Sequence, residues 1–153
     1  MKNFTVTPVA HVVNNVNSPV DSGWGSVESR LVLESEWRGA LDGLDQFSHV
    51  VVLTYLHQIP SGDRTVPAQR RPRGRADMPL LGVFSQRARV RPNPIGVTAC
   101  PIVKVGPDEL IVRGLDAING TPVLDIKPYV PLFDRIESPT VPSWAGQLFK
   151  DYL

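Results

Sequence analysis

The fold class is indicated most clearly by residues 47–57, which have the sequence FSHVVVLTYLH. β-Branched, aromatic and aliphatic residues follow one another here almost without interruption, which is typical of strands. A nearly continuous apolar run of this length predicts a strand that is buried on both faces. We therefore expect residues 47–57 to form a central strand in a wall that other elements cover.

Further strands are predicted on both sides of this run, at short spacing. They are expected at residues 4–13, 27–33, 80–85, 97–105, 110–115 and 121–126. Turn-forming residues separate them, notably in residues 14–25 and at Asn119-Gly120. Helix is expected only as one turn within residues 36–44 and as a short helix within residues 144–153. Six or seven strands with so little helix predict a mainly β fold, either a sandwich or a barrel.

The composition favours a single cytoplasmic domain. The chain has 153 residues, enough for one core, and its 15 prolines disfavour a helical bundle. No run approaches the roughly 18 apolar residues of a membrane-spanning helix, and the N-terminal residues lack the apolar core of a signal peptide. A single cysteine, Cys100, excludes an internal disulfide and a cysteine-rich zinc site. We expect a cytoplasmic protein that does not bind a membrane.

An arginine-dense band at residues 64–91 interrupts a mostly acidic chain. It contains eight arginines and one acidic residue, Asp77, although the net charge of the whole chain is only +1. The eight are Arg64, Arg70, Arg71, Arg73, Arg75, Arg87, Arg89 and Arg91. Such a cluster indicates a local anionic partner, and a solvated loop is the alternative. Part of the band lies in a polar loop at residues 59–79, a length that is usually functional or disordered.

Several common kinds of active site are not indicated by the sequence. It contains no G-x-G-x-x-G after a strand, no P-loop and no H-E-x-x-H motif. It also lacks the G-x-S-x-G turn of serine hydrolases. His49 and His57 are eight residues apart and would share one face of a strand, which leaves a two-histidine metal site open. We nevertheless expect no metal.

The segment GVFSQRARVRPNPIG at residues 82–96 is unusual. Prolines on both sides of Asn93 restrict the backbone and exclude a helix there. Arg87, Arg89 and Arg91 alternate, so they would share one face of an extended segment. A row of guanidinium groups suits a phosphate backbone or a carboxylate. A rigid turn with solvated arginines is the alternative.

A second unusual segment, GLDAINGTPVLDIKPYVP, covers residues 114–131. Asp125 lies within an otherwise apolar strand, where a buried carboxylate is costly unless it is paired. Lys127 follows two residues later and would lie on the same face as its partner. The pair is consistent with a structural salt bridge or with a polar site at the mouth of a barrel.

Within these two regions, residues 82–98 and 115–131 closely resemble the paired signatures of the TrmO family. A third stretch, from Leu44 to Gln58, resembles another signature of that family. TrmO proteins methylate the exocyclic amine of threonylcarbamoyladenosine, next to the tRNA anticodon, with S-adenosylmethionine as the methyl donor. The resemblance implies a methyltransferase domain at residues 4–134, folded as a small closed β-barrel of about six strands, and a tail with a short helix at residues 135–153.

The same resemblance implies a cofactor site, tRNA as partner and a homodimer. The predicted cofactor contacts are His57, Gln58, Arg87, Asn93, Val97, Leu115, Asp116, Ala117 and Ile118. Two departures from the family bear on the substrate. Asp21-Ser22-Gly23-Trp24 stands where the first loop of the family usually carries a glutamine motif, and the sequence stops at Leu153, whereas bacterial members often continue with an extension that helps to hold tRNA.

The implied reaction requires an acceptor for the proton of a weakly basic, urea-like nitrogen, and a carboxylate is the natural acceptor. Asp116 is the first candidate, and Asp125 is the second because Lys127 would make it less basic. Solvent remains an alternative acceptor.

Trp24 or Tyr129 is expected to stack on a base. The predicted RNA contacts are Arg70, Arg71, Arg73, Arg75, Arg89, Arg91, Lys127 and Tyr129. A methyltransferase for another RNA or a small molecule, and a non-catalytic nucleotide- or RNA-binding barrel, stay open.

Overall fold

The computed structural model describes residues 3, 5–59, 65–150 and 152 and is dominated by β-strands. The strands are β1 (Ala10–Val13), β2 (Glu28–Leu33), β3 (His49–Tyr55), β4 (Gln69–Arg70), β5 (Leu81–Gly82), β6 (Ile95–Val105), β7 (Glu109–Arg113) and β8 (Pro122–Pro128). The two short helices are α1 (Pro131–Asp134) and α2 (Ser143–Leu148). Six antiparallel strands close into a barrel in the order β1-β2-β7-β6-β3-β8, and β4 pairs with β5 separately. The predicted small β-barrel with short helices is confirmed.

Strand β3 pairs with β6 on one side and with β8 on the other in the barrel wall, but it is not buried on both faces. Its side chains alternate: Val50 and Val52 are fully buried, whereas Val51 and Leu53 between them are only partly covered. Alternation follows from barrel closure, because every second side chain points into the interior and the others point outward. The expectation of a strand covered on both faces was therefore wrong, and hydrophobicity alone overstated the burial of the outer side chains.

The barrel interior is filled by aliphatic side chains from all six strands. The fully buried members include Val12, Leu31, Val50, Val52, Cys100, Leu110, Val112 and Val123. Burial raises the pKa of the Cys100 thiol to about 12, so this cysteine stays protonated and behaves as a small apolar residue. The interior of the barrel is therefore a packed hydrophobic core.

The hairpin of β6 and β7 is confirmed, whereas two other strands are shorter than expected. β1 begins at Ala10 rather than at residue 4, and Phe4 lies outside the described residues. Pro8 just before it lacks an N–H group for a strand ladder. β5 ends at Gly82 because its partner β4 has only two residues, and a 3-10 turn at Val83–Ser85 follows. The helical turn predicted at residues 36–44 is replaced by 3-10 turns at Ser35–Trp37 and Leu44–Gln46.

The long loops and the tail lie against the barrel. Residues 65–79 contain β4 and a 3-10 turn at Pro72–Gly74, whereas residues 60–64, including the predicted Arg64, lie outside the described part of the chain. The short helix expected in the tail is α2, whose Leu148 is buried. In the described residues, no helix has the length and apolar character needed to cross a membrane. The boundary between barrel domain and tail at residue 134 stays a prediction.

Candidate cofactor and RNA site

A cavity of about 1020 Å³ is formed by the first residues of β6, the loops around them and the tail. It is lined by residues from six segments, within 19–24, 56–59, 70–73, 84–99, 116–121 and the tail from 144 to 152. Cavities that hold small ligands or cofactors typically measure about 300–1,000 Å³. The lining mixes apolar side chains with arginines and one acidic pair, Asp21 and Asp116, so it is suited to a ligand that carries both charge and apolar rings.

One wall of the cavity is the loop between β7 and β8, which two glycines bound. Gly114 and Gly120 adopt φ angles of 78° and 76°, a left-handed conformation that side chains disfavour. Between them, Ala117 is held by a hydrogen bond that Asn14 Nδ2 donates to its carbonyl oxygen at 2.8 Å. The turn directs Leu115 into the barrel core and leaves Asp116 at the cavity. The loop is therefore a rigid edge that presents one carboxylate.

The Asp116 carboxylate is partly buried and faces a specific set of polar groups. Its Oδ2 atom accepts a hydrogen bond from the hydroxyl of Tyr152 in the tail. Burial raises the pKa of Asp116 above its ordinary value of 3.8, whereas the Tyr152 hydrogen bond and the Arg87 guanidinium lower it and Asp21 raises it further. A carboxylate with a raised pKa is a stronger base, which suits it to proton transfer near neutral pH.

Arg87 lies on the same side of the cavity and is held by the barrel wall. Its Nη2 atom donates a hydrogen bond to the carbonyl oxygen of Val97 at 2.7 Å. Val97 lies on the outer face of β6 and is 43% exposed. One guanidinium carries five N–H donors, and this hydrogen bond uses one of them.

His57 and Gln58 reach the cavity because β3 and β6 approach each other closely at their ends. Leu56 N donates to the carbonyl oxygen of Pro94 at 2.8 Å, which ties the two segments together. Gly96 lies beside them, and a Cβ atom there would collide with Thr54 Oγ1 and crowd the Leu56 side chain. The glycine is thus required by the approach of the two strands.

The family model for the tRNA-methyltransferase O N-terminal domain matches residues 11–135. The chain belongs to the TrmO family. A probable S-adenosyl-L-methionine-binding protein of Methanothermobacter thermautotrophicus is 40% identical over 121 residues, which make up 78% of this chain and 82% of that protein. The human tRNA (adenine(37)-N6)-methyltransferase is 43% identical over 95 residues, which make up 62% of this chain and 21% of the human protein.

Solved TrmO structures share the barrel. The crystal structure of TrmO from P. aeruginosa matches with a TM-score of 0.76 and 28% identity, over 94% of this chain. The match covers 62% of the P. aeruginosa chain, so this chain spans less than two thirds of that protein. A second TrmO crystal structure matches with a TM-score of 0.71 and 30% identity, over 92% of this chain and 61% of the other. Both the predicted family and the predicted barrel are confirmed.

Within this TrmO-family chain, most of the predicted cofactor residues come together. The cavity is lined by His57, Gln58, Arg87, Val97, Asp116, Ala117 and Ile118. Leu115 instead packs in the barrel core, and Asn93 is not part of the lining. The Asn93 carbonyl oxygen accepts a hydrogen bond from Ile95 N at 2.8 Å, which shapes the turn before β6. A contact of either residue with a cofactor stays a prediction.

The Asp125–Lys127 pair lies away from the cavity on β8. Asp125 Oδ2 and Lys127 Nζ are 2.6 Å apart, and the two side chains are 43% and 64% exposed. The sequence suggested a carboxylate buried in an apolar strand, but β8 turns this position partly towards solvent. Tyr129, also outside the cavity lining, packs its ring against His49 at a centroid distance of 6.2 Å.

The arginines of the band divide into two groups. Arg70, Arg73, Arg87, Arg89 and Arg91 line the cavity. Arg71 and Arg75 do not, because Arg71 donates to the carbonyl oxygen of Met78 and Arg75 forms an ion pair with Asp77 at 2.6 Å. Arg91 also serves the local fold, since its Nη1 atom donates to the carbonyl oxygen of Gln86.

Sequence reasoning missed the contribution of the tail to the cavity. Trp144, Phe149 and Tyr152 all line it, and their only signal in the sequence is a cluster of aromatic residues near the end. Trp24, one of the two residues expected to stack on a base, lines the cavity but is only 1% exposed, and its indole Nε1 donates to the Val20 carbonyl oxygen at 3.3 Å. Its indole is therefore part of the loop's own packing in this conformation.

Proposed function

We propose that this chain is an S-adenosylmethionine-dependent methyltransferase that acts on tRNA, on the exocyclic amine of threonylcarbamoyladenosine next to the anticodon. The carrying observation is that three separate motif segments meet in one cavity around Asp116 and Arg87. The names of the similar proteins support the proposal, since one is a probable S-adenosyl-L-methionine-binding protein and another a tRNA (adenine(37)-N6)-methyltransferase.

The residues of the cavity fit S-adenosylmethionine. The cofactor carries a carboxylate, which Arg87 would hold through its free donors, and an adenine ring, for which Ala117 and Ile118 supply apolar surface. His57 and Gln58 add polar groups on the facing segment. When bound, the cofactor supplies a methyl group that its positive sulfur already activates. The task left to the protein is alignment of the reacting atoms, which lowers the barrier by positioning.

Asp116 is the proposed proton acceptor. The substrate nitrogen is a weak base, so its proton must leave during or after attack, and a carboxylate of raised pKa within the cavity is suited to receive it. Asp125 remains the second candidate, although its distance from the cavity lining and its pairing with Lys127 favour a structural role. If neither carboxylate accepts the proton, we expect the proton to be transferred to solvent.

The cavity arginines are the proposed anchors for RNA phosphates. Arg70, Arg73, Arg89 and Arg91 surround the same opening as Asp116, so phosphates bound there would bring a splayed base to the carboxylate. Arg71, Arg75, Lys127 and Tyr129 are proposed to contact RNA farther from the reacting atoms.

A homodimer in the cytoplasm completes the proposal. Exposed apolar side chains at Leu132, Phe133 and Ile136 support an interface between two copies, and light scattering would measure it.

The experiment has two stages. Calorimetry first measures binding of S-adenosylmethionine to the chain. Transfer of a labelled methyl group is then measured on bulk tRNA and on tRNA from cells unable to make threonylcarbamoyladenosine, with the modified nucleoside identified by mass spectrometry. We expect binding, and transfer to the first tRNA pool only. Transfer to both pools would point to another RNA site. Cofactor binding without methyl transfer would point to a different substrate. No cofactor binding would point to a non-catalytic barrel.

A further inference from the structure

The tail places the hydroxyl of Tyr152 directly on the candidate base. We propose that Tyr152 is a positioning residue that orients the Asp116 carboxylate and keeps it ready to accept a proton. The inference rests on the proposed role of Asp116, and it adds a residue from outside the three family motifs. The two residues are 36 positions apart, and β8 and both short helices lie between them.

Tyr152 is anchored by three separate segments. Its backbone carbonyl oxygen accepts a hydrogen bond from Trp24 N at 3.3 Å, and its own N–H donates to the Phe149 carbonyl oxygen at 3.2 Å. The Phe149 ring meets the Tyr152 ring edge-on at 5.8 Å between centroids. The Arg73 guanidinium carbon lies 5.8 Å from the centroid of the Tyr152 ring. These contacts fix both the position and the tilt of the phenol.

Arg73 is in turn held by the loop that precedes β2. Its Nη2 atom donates to the Asp21 carbonyl oxygen at 3.1 Å, and its Nε atom lies 3.7 Å from the Asp21 carboxylate. A guanidinium over an aromatic ring is attracted to the ring face, more strongly where water is excluded. The tail, the turn that carries Arg73 and the loop before β2 therefore converge beside the cavity, where the Tyr152 hydroxyl meets Asp116.

The hydroxyl uses one oxygen of the carboxylate. In the described part of the chain, Asp116 Oδ2 accepts the Tyr152 hydrogen bond and Oδ1 has no hydrogen-bond partner. A carboxylate held through one oxygen loses rotational freedom while the other oxygen remains able to take a proton. Burial and the neighbouring Asp116 raise the pKa of Tyr152, so it remains a protonated donor throughout the neutral range.

The hydrogen bond also opposes the effect of burial on Asp116. The groups facing this carboxylate are Tyr152 from the tail, Arg87 from the segment before β6 and Asp21 from the first loop, and Arg73 faces the phenol. Tyr152 and Arg87 lower the pKa of Asp116, whereas Asp21 and burial raise it. Removing the hydroxyl should therefore raise the pKa of Asp116 further and protonate the base at a higher pH.

The test is Tyr152→Phe, which deletes only the hydroxyl, with Tyr55→Phe as the matched control on the exposed end of β3. The Asp116 carboxyl is titrated by carbon NMR in the protein without cofactor or tRNA. We expect its pKa to rise by about one unit in Tyr152→Phe, the size expected for loss of one charge-assisted hydrogen bond. The control should leave it unchanged.

The same two variants are then assayed for methyl transfer across pH. A base must be ionised, so the rate falls as pH drops through the pKa of Asp116. We expect the pH at which the rate falls to be about one unit higher in Tyr152→Phe. At pH values below this acid limb of the profile, the rate should be about tenfold lower than that of wild type. Well above it, the loss of orientation should leave a smaller decrease in kcat, and the KM for the cofactor should be unchanged. In an Asp116→Asn background, Tyr152→Phe should have no further effect on kcat.

Two results would overturn the proposal. An unchanged Asp116 titration in Tyr152→Phe would show that the hydroxyl does not act on the carboxylate. A rate lowered equally at all pH values, with additive loss in the double variant, would indicate a merely structural tail. If the wild-type chain transfers no methyl group to any tRNA, the proposed function fails, and the NMR titration still decides whether Tyr152 controls Asp116.

Discussion

Asp116 and Asp125 belong to one motif, nine residues apart, and yet lie in opposite environments. Asp116 follows a glycine-bounded turn into the cavity, where burial raises its pKa and the Tyr152 hydroxyl contacts it. Asp125 lies on the regular strand β8, half exposed, and Lys127 pairs with it at 2.6 Å. The hydrogen bond to Asp125 raises the pKa of the exposed Lys127. The difference shows that local backbone shape gives two carboxylates of one motif different burial and different partners.

The comparison is tested most directly by removing each carboxylate. Asp116→Asn should lower kcat by roughly 10²–10⁴-fold, the usual contribution of a positioned general base, with little change in cofactor affinity. Asp125→Asn should retain the wild-type rate. Single-turnover methyl transfer with saturating tRNA measures both. An equal loss of kcat in the two variants would show that the two carboxylates do not differ in their role. A loss of kcat only in Asp125→Asn would make Asp125 the proton acceptor.

The second prediction concerns the cation beside Asp116. Arg87→Ala should weaken cofactor binding by roughly 10- to 150-fold, because a charge-assisted hydrogen bond contributes roughly 1.5–3 kcal/mol. Arg113→Ala on β7, whose guanidinium pairs with Glu28 on the surface, is the matched control and should bind normally. Calorimetric titration with S-adenosylmethionine gives both affinities. Equal affinity of Arg87→Ala and wild type would remove Arg87 from the site.

The arginine band allows the same contrast between cavity and outer surface. Replacing Arg70 and Arg89, which line the cavity, should weaken tRNA binding and flatten the slope of log K against log salt by roughly 0.7–0.9 per lost phosphate contact. Replacing Arg71 and Arg75, which are engaged with Met78 and Asp77, should change the slope less. Filter binding at several salt concentrations measures it. If the outer pair has the larger effect, the RNA surface lies beyond the cavity.

The smallest expected effect is on stability, and it is expected only for Asp116. The folded-state pKa of Asp116 is raised, so the fold is favoured at low pH, and this contribution is lost as pH rises from 3.8 through the folded value. Asp116→Asn should therefore raise the free energy of unfolding at pH 7, and the gain should vanish near pH 3. Asp125→Asn should give no such gain. Thermal unfolding at several pH values measures both, and a destabilised Asp116→Asn at pH 7 would contradict the expected sign.

The parts of the site that could be predicted are those carried by contiguous segments. Arg87 and Asp116 were found because each lies in a long motif, and the structure brings both to one cavity. Leu115 was placed in the same site, but the turn after Gly114 sends it into the core. A motif specifies which residues are near a site, and the turn decides which of them point towards it.

The sequence by itself determined the strand-rich character, the six barrel strands in outline and the family, because alternation, turn residues and motifs are local features. Only the tertiary structure decided that β3 is covered on one face, that Asp125 is half exposed and that Tyr152 meets Asp116. Burial and pairing of this kind arise when the barrel closes and the tail folds back onto it. They depend on residues far apart in the chain, and no local pattern encodes them.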